Sequence, residues 1–185
     1  MKPLTPDETL LGLLAISARH GYELLDSFHQ NHELGRVWNL STSQIYAVLK
    51  RLQNQDWIEG HEIVSENAPP RTEYRLTASG EARLHAWLDE PHPSASIRRI
   101  RVEFLSRLFI ARQLGISVAV IVQRQRDTCK TKYAELLNDH AAAEPGIDRL
   151  ALELHIAQLR AVLQWIDRCE QSSNLAHPIH GDYQK

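Results

Sequence analysis

The stretch from Leu40 to Leu52 constrains the fold more than any other part of the chain. Ser41-Thr42-Ser43-Gln44 has the S-x-x-Q spacing of a capping box, in which two side chains satisfy backbone N–H groups at a helix start. Leu40 before the cap and Ile45 after it fit a hydrophobic staple. Ile45, Val48, Leu49 and Leu52 then recur at helical spacing and form one apolar face. A helix buried on that face leaves the opposite stripe uncovered: Ser43, Tyr46, Ala47 and Lys50, with Gln44 and Arg51 on its flank.

The flanking segments place this helix in an order. Upstream, Thr5-Pro6-Asp7-Glu8 predicts a first helix, with Thr5 as N-cap and Glu8 closing a capping box. It carries Leu10, Leu11, Leu13 and Leu14 and runs to about Ser17. His20-Gly21 interrupts the pattern. A second helix with Tyr22, Leu24, Leu25 and Phe28 follows to about His32. Downstream, residues 57–64 read as a strand, Asn67-Ala68-Pro69-Pro70 as a loop and residues 72–76 as a short returning strand. Thr77 caps a fourth helix with Leu84, Trp87 and Leu88. Three helices, a hairpin and a further helix are the order of a winged helix-turn-helix.

Glu90-Pro91-His92-Pro93-Ser94, with two prolines in three residues, predicts a linker. The expected division is therefore a winged helix-turn-helix over 1–90, a three-helix unit over 97–171 and a frayed tail over 172–185. The fold class is mainly α. In the second unit Ile97, Ile100, Phe104, Leu105, Leu108 and Phe109 mark one helix, ended by Gly115. Ser117 caps the next, which carries Val118, Ile121, Val122, Cys129, Tyr133, Leu136 and Leu137. The last begins near Ile147 and is apolar on two sides. One side holds Leu150, Ala151, Leu154, Ala161, Val162 and Trp165. The other holds Leu152, Ile156, Leu159, Leu163 and Ile166. A helix apolar on two sides packs against two surfaces, here its own unit and a second subunit.

His20-Gly21-Tyr22-Glu23-Leu24, then Leu40-Ser41 with Ile45 through Leu52, then Arg71 with Tyr74-Arg75-Leu76-Thr77 and Gly80, resemble the PadR family of transcriptional regulators over about the first 90 residues. Thr42-Ser43 stands where the family often has Pro-Gly, and Asp56 where it favours Gly. The second half resembles the dimerising helical domain of the longer PadR members through Val102-Glu103-Phe104-Leu105, Leu108-Phe109 and the closing long helix. The resemblance implies a cytoplasmic, homodimeric repressor that binds a palindromic double-stranded operator. It also implies release by a small aromatic or xenobiotic effector.

The DNA-contact residues expected from this context are Ser41, Ser43, Gln44, Tyr46, Lys50, Arg51, Arg71 and Arg75. Second roles compete at three of them. Gln44 is also claimed by the capping box, Tyr46 by packing on the hairpin and Arg75 by the acidic residues around it. For the effector, Trp87, Arg98, Arg101, Phe104 and Leu108 are the candidates, with plain core packing as the rival reading of the apolar ones.

Charge and motifs limit the other function classes. The chain is near neutral, with a formal net charge of −2 over 185 residues. Residues 1–90 hold eight Lys or Arg against thirteen Asp or Glu, a net of −5. Nucleic acid must then be met by a local basic patch. That acidity is the best argument for a competing reading, a winged-helix protein-interaction adaptor without DNA binding. No GxSxG, P-loop, HExxH or GxGxxG pattern is present, so no enzyme and no cofactor are expected. The pairs His29/His32 and His177/His180 have chelating spacing without a third ligand, so no metal site is expected. Cys129 and Cys169, 40 positions apart, form no disulfide framework or zinc knuckle.

Overall fold

Ser41 and Gln44 close the capping box foreseen for them. The Gln44 backbone N–H donates to Ser41 Oγ at 3.3 Å, and the Ser41 N–H donates to Gln44 Oε1 at 2.8 Å. The helix they start, Thr42–Asn54, is the fourth of the chain, because a single turn that sequence periodicity does not reveal precedes it. In this computed structural model, residues 3–29, 32–65 and 68–173 are described. The first half contains α1 (Asp7–Ile16), β1 (Arg19–His20), α2 (Gly21–His29), α3 (Leu34–Val37), α4 (Thr42–Asn54), β2 (Ile58–Ser65), β3 (Ala68–Leu76) and α5 (Ala78–Leu88). The three strands form an antiparallel sheet in the order β1-β3-β2. Gly60 faces Tyr74 and Ile63 faces Arg71 across the hairpin, while Arg19 faces Tyr74 on its other side.

Contacts divide the chain into two units: residues 1–90 with 105–116, and residues 91–104 with 117–185. The assignment of 105–116 to the first unit differs from a simple cut at the Pro-rich linker. The core of the first unit is aliphatic. Leu10, Leu11, Leu24, Ile45, Leu49, Leu52 and Ile110 are fully buried. Ile110 reaches α1, where a side chain on Gly12 would collide with it. Two buried polar contacts tie residues 105–116 into the same unit. Trp38 Nε1 donates to Ser106 Oγ at 2.9 Å, and the Arg107 guanidinium lies 5.2 Å from the Trp87 ring centre.

The first helix starts differently from expectation. Pro6 occupies its N-cap and no side chain caps it. Glu8 does not turn back to Thr5, because it is buried and ion-paired with Arg83 of α5. Carboxylates in a first turn still meet the positive end of the helix dipole favourably. The returning strand also begins earlier than the Pro69-Pro70 pair suggests, at Ala68.

In the second unit, α6 (Ile97–Arg99) runs through a π-turn at Ile100–Phe104 into α7 (Leu105–Gln113), which belongs to the first unit. Gly115, at φ +69°, ends this helix. The Ile116 N–H bonds back to the Ala111 carbonyl, so a left-handed residue closes the turn. α8 (Ala119–Ala142) and α9 (Ile147–Ser173) form a long antiparallel pair. Arg126–Asp167 at 3.1 Å and Arg160–Tyr133 at 3.1 Å bridge it.

The two apolar sides of α9 differ in exposure, although Trp165 of the first side packs on the buried Phe104. Ile156, Leu159 and Ile166 are buried, while Ile147, Leu150 and Leu154 are 77%, 61% and 57% exposed. No helix among the described residues is long and apolar enough to cross a membrane. The expected tail lies outside the described residues apart from its first two positions.

Candidate nucleic-acid interface

Helix α4 presents the stripe its periodicity implied. Ile45, Val48, Leu49 and Leu52 are buried, and Ser41, Ser43, Gln44, Tyr46, Ala47 and Lys50 are exposed. This exposed side joins hydroxyls, an amide, a phenol and a cation on one rigid scaffold, which suits hydrogen bonding to phosphates and base edges.

The members are not equally available. Gln44 Oε1 is engaged by the cap, and Ser41 Oγ lies 3.0 Å from Ser43 Oγ. These bonds fix the first turn of the helix and orient the polar groups there. Tyr46 is 46% exposed, yet its ring sits where a side chain on Gly21 would be, with Cε1 only 2.9 Å from that Cβ position. Gly21 thus makes room for Tyr46, which both packs against the start of α2 and faces solvent. Lys50 is exposed and has no partner among the described residues.

Arg51 stands apart from this set. Its guanidinium grips the Asp7 carboxylate through Nε at 3.1 Å and through a second, shorter bond from Nη2. The hydrogen bond to Asp7 raises its pKa further above the ordinary arginine value, against an opposing contribution from burial. Arg51 therefore binds α4 to α1. Nothing in the sequence pairs it with a carboxylate 44 positions away.

The wing carries the remaining cations. Arg71 is exposed on β3, opposite Ile63, and its guanidinium lies 5.6 Å from the Tyr22 ring centre. Tyr22 in turn stacks on His20 at 5.6 Å with ring planes 9° apart. His20 Nδ1 is 3.3 Å from the Thr72 carbonyl oxygen, which ties this stack to the wing. Arg75 takes the competing role foreseen for it, donating to Glu73 at 2.9 and 3.0 Å. Sequence reasoning missed His20 and Tyr22 as part of this surface. A two-residue strand has no periodicity to read, and helical spacing groups Tyr22 with the apolar Leu24, Leu25 and Phe28.

The expected effector residues fall in both units. Trp87 and Leu108 are buried in the first unit. Phe104 is buried in the second, its ring edge-on to Trp165 at 5.9 Å. Arg101 is exposed, and Arg98 alone lines a cavity. Of the histidine pairs, His29 Nε2 lies 2.9 Å from the Leu40 carbonyl oxygen and His32 lies beside Glu33. His177 and His180 fall outside the described residues. No cluster of metal-binding side chains occurs among the described residues.

Residues 10–86 match the transcriptional regulator PadR-like family. The chain is 28% identical over 141 residues to the negative transcriptional regulator PadR of Bacillus subtilis, covering 74% of this chain and 75% of that one. It is 30% identical over 82 residues to a probable transcriptional regulator of Mycobacterium tuberculosis, Rv1176c, covering 44% and 42%. Among solved structures, B. subtilis PadR in complex with operator DNA is similar at 22% identity, covering 90% of this chain and 98% of that one, with a TM-score of 0.45.

Proposed function

Because residues 10–86 match the transcriptional regulator PadR-like family, we propose that this chain is a cytoplasmic, homodimeric repressor that binds a palindromic operator and leaves it when a small aromatic or xenobiotic effector is bound. Its class is that of a regulator and not of an enzyme. The observation that carries the DNA-binding reading is the exposed stripe of α4. A helix held by a buried apolar face, with Ser43, Tyr46 and Lys50 outward and a cation-bearing wing beside it, has the form of a recognition helix. Lys50 and Arg71 supply positive charge to phosphates within a half whose overall charge is negative.

The dimer is supported by the outer side of α9. Ile147, Leu150 and Leu154 leave an apolar strip in water that a second copy of the same helix would cover. On this reading residues 1–90 serve DNA and the α8–α9 pair serves assembly. Two recognition helices related by a two-fold axis then require inverted half-sites about one helical turn apart. B. subtilis PadR, which is 28% identical, is a negative regulator, and repression is the sign proposed here.

The test is selection of genomic fragments by the purified full-length protein, followed by sequencing. The expected result is enrichment of an inverted repeat with half-sites at that spacing. A folded protein that enriches no sequence and shows no salt-dependent affinity for duplex DNA would instead be an adaptor, and the proposal would fall.

A further inference from the structure

Between α4 and the wing lies a row of rings. Tyr46 of α4 fills the space beside Gly21, the first residue of α2. On either side of Gly21 in the chain, the His20 and Tyr22 rings stack on each other, and the Arg71 guanidinium of β3 lies 5.6 Å from the Tyr22 ring centre. Tyr22 and Arg71 are exposed and His20 is half-buried, so the row is open to solvent.

The bonding of His20 settles which ring nitrogen is free. Nδ1 lies 3.3 Å from the Thr72 carbonyl oxygen, which only accepts, so Nδ1 carries the proton of the neutral ring. Nε2 is then an acceptor, without a partner among the described residues, and it repels a phosphate oxygen. A second proton turns it into a charged donor. The charged neighbours of His20 are committed elsewhere. On α2, Glu23 accepts the His20 backbone N–H at 2.7 Å. On β3, Glu73 lies opposite His20 in register and is held by Arg75. On β1, Arg19 donates to Ser17 and Ser27. On β2, His61 lies opposite Glu73 and pairs with Glu59. From α4 the row meets the phenol of Tyr46.

We propose that His20 is a proton-gated phosphate contact: DNA binding draws a proton onto Nε2, which then donates to a backbone phosphate beside Arg71, with the Tyr22 ring as the platform for both cations. An imidazolium and a guanidinium gathered on one ring repel each other in the free protein, and a phosphate removes that penalty. Linkage sets the sign. Affinity rises as pH falls through the range in which an imidazole gains its charge, while lysine and arginine side chains ordinarily stay charged throughout.

This assignment deepens the DNA-binding part of the proposed function and rests on it. The experiment is fluorescence anisotropy of the full-length protein with a fluorescein-labelled genomic duplex enriched by selection, at fixed ionic strength, at about pH 8 and about pH 5.8. Wild type, His20→Gln, Tyr22→Phe, Tyr22→Leu and His61→Gln are compared, with circular dichroism confirming that each folds. Wild type is expected to gain about tenfold more affinity at the lower pH than His20→Gln does. Tyr22→Phe and His61→Gln should keep that gain, and Tyr22→Leu should lose most of it. The assignment is overturned by equal gains in wild type and His20→Gln, by a gain that disappears in His61→Gln, or by a full gain in Tyr22→Leu. Duplex binding without a His20-dependent gain removes this assignment and leaves the DNA-binding reading standing, whereas no binding at either pH removes both.

Discussion

Lys50 and Arg51 are neighbours in sequence with separate tasks. Both were legible as cations beside the outward stripe of α4. Only the fold reveals that Asp7, brought in by α1, holds Arg51. Lys50→Ala is expected to weaken operator binding and to flatten its salt dependence by about 0.9 units of slope, the share of one phosphate contact, in mobility-shift titrations. Arg51→Ala should act on the fold first. Its side chain is 40% exposed, so water screens the pair, and the expected cost is about 1 kcal/mol in urea unfolding. An Asp7→Asn, Arg51→Ala double variant should cost little more than Arg51→Ala alone if the pair is the source of the effect. Additive losses would show that Arg51 acts elsewhere. The residue scale was the least legible in general. Tyr46 and Glu8 each meet a partner set by tertiary packing, which no local pattern encodes, whereas the Arg75–Glu73 pair is local and could be read from the strand.

Elements were read more securely, because capping and periodicity are local. The Ser41–Gln44 box and the Thr77 cap, whose Oγ1 accepts the Gly80 N–H at 3.1 Å, both formed as the sequence implied. The short α3 and β1 escaped notice for want of length. Asp56 stands where the resemblance places a glycine, and its backbone suits one. This residue has φ +54°, in the left-handed region where glycine is at ease. Asp56→Gly is therefore expected to stabilise the protein by about 0.5 kcal/mol, the relieved strain less the entropy glycine adds to the unfolded chain, read as a raised thermal midpoint. Gly80→Ala should do the reverse, because a Cβ there runs into the Trp57 carbonyl. Overpacking of this kind costs about 1–3 kcal/mol, and an unchanged midpoint would mean that α5 shifts freely. On α8, burial pushes the Cys129 thiol above its ordinary value, against a hydrogen bond from Gln125 that lowers it. A raised folded-state pKa stabilises fully below the unfolded value and is lost as pH rises through the folded one. The wild type should thus lose stability relative to Cys129→Ala as pH climbs past about 8.5, and Cys129 should resist alkylation until the chain unfolds.

At the scale of the molecule, the two apolar sides of α9 were visible in the sequence. Which side faces the chain's own core was not, since both sets are apolar throughout. The structure places Ile156, Leu159 and Ile166 inside and leaves Ile147, Leu150 and Leu154 outside. Two kinds of substitution should therefore diverge. Leu150→Glu with Leu154→Glu should leave helix content unchanged and halve the mass found by light scattering. Leu159→Glu should unfold the second unit, because it buries a charge without a partner. A Leu150→Glu, Leu154→Glu variant that stays dimeric would move the interface off this face. The division at the Pro-rich linker was also only partly legible, since the grouping of residues 105–116 with the first unit depends on long-range contacts such as Trp38–Ser106.

The outward stripe of α4 and the wing are proposed to meet duplex DNA despite the net negative charge of residues 1–90. Fluorescence anisotropy of the full-length protein with a labelled operator recovered by selection, titrated across a series of salt concentrations, tests it most directly. Log affinity is expected to fall steeply and linearly with log salt, with a slope shallower by about 0.9 in each of Lys50→Ala and Arg71→Ala. Affinity that does not respond to salt, or a slope that both substitutions leave untouched, would contradict it.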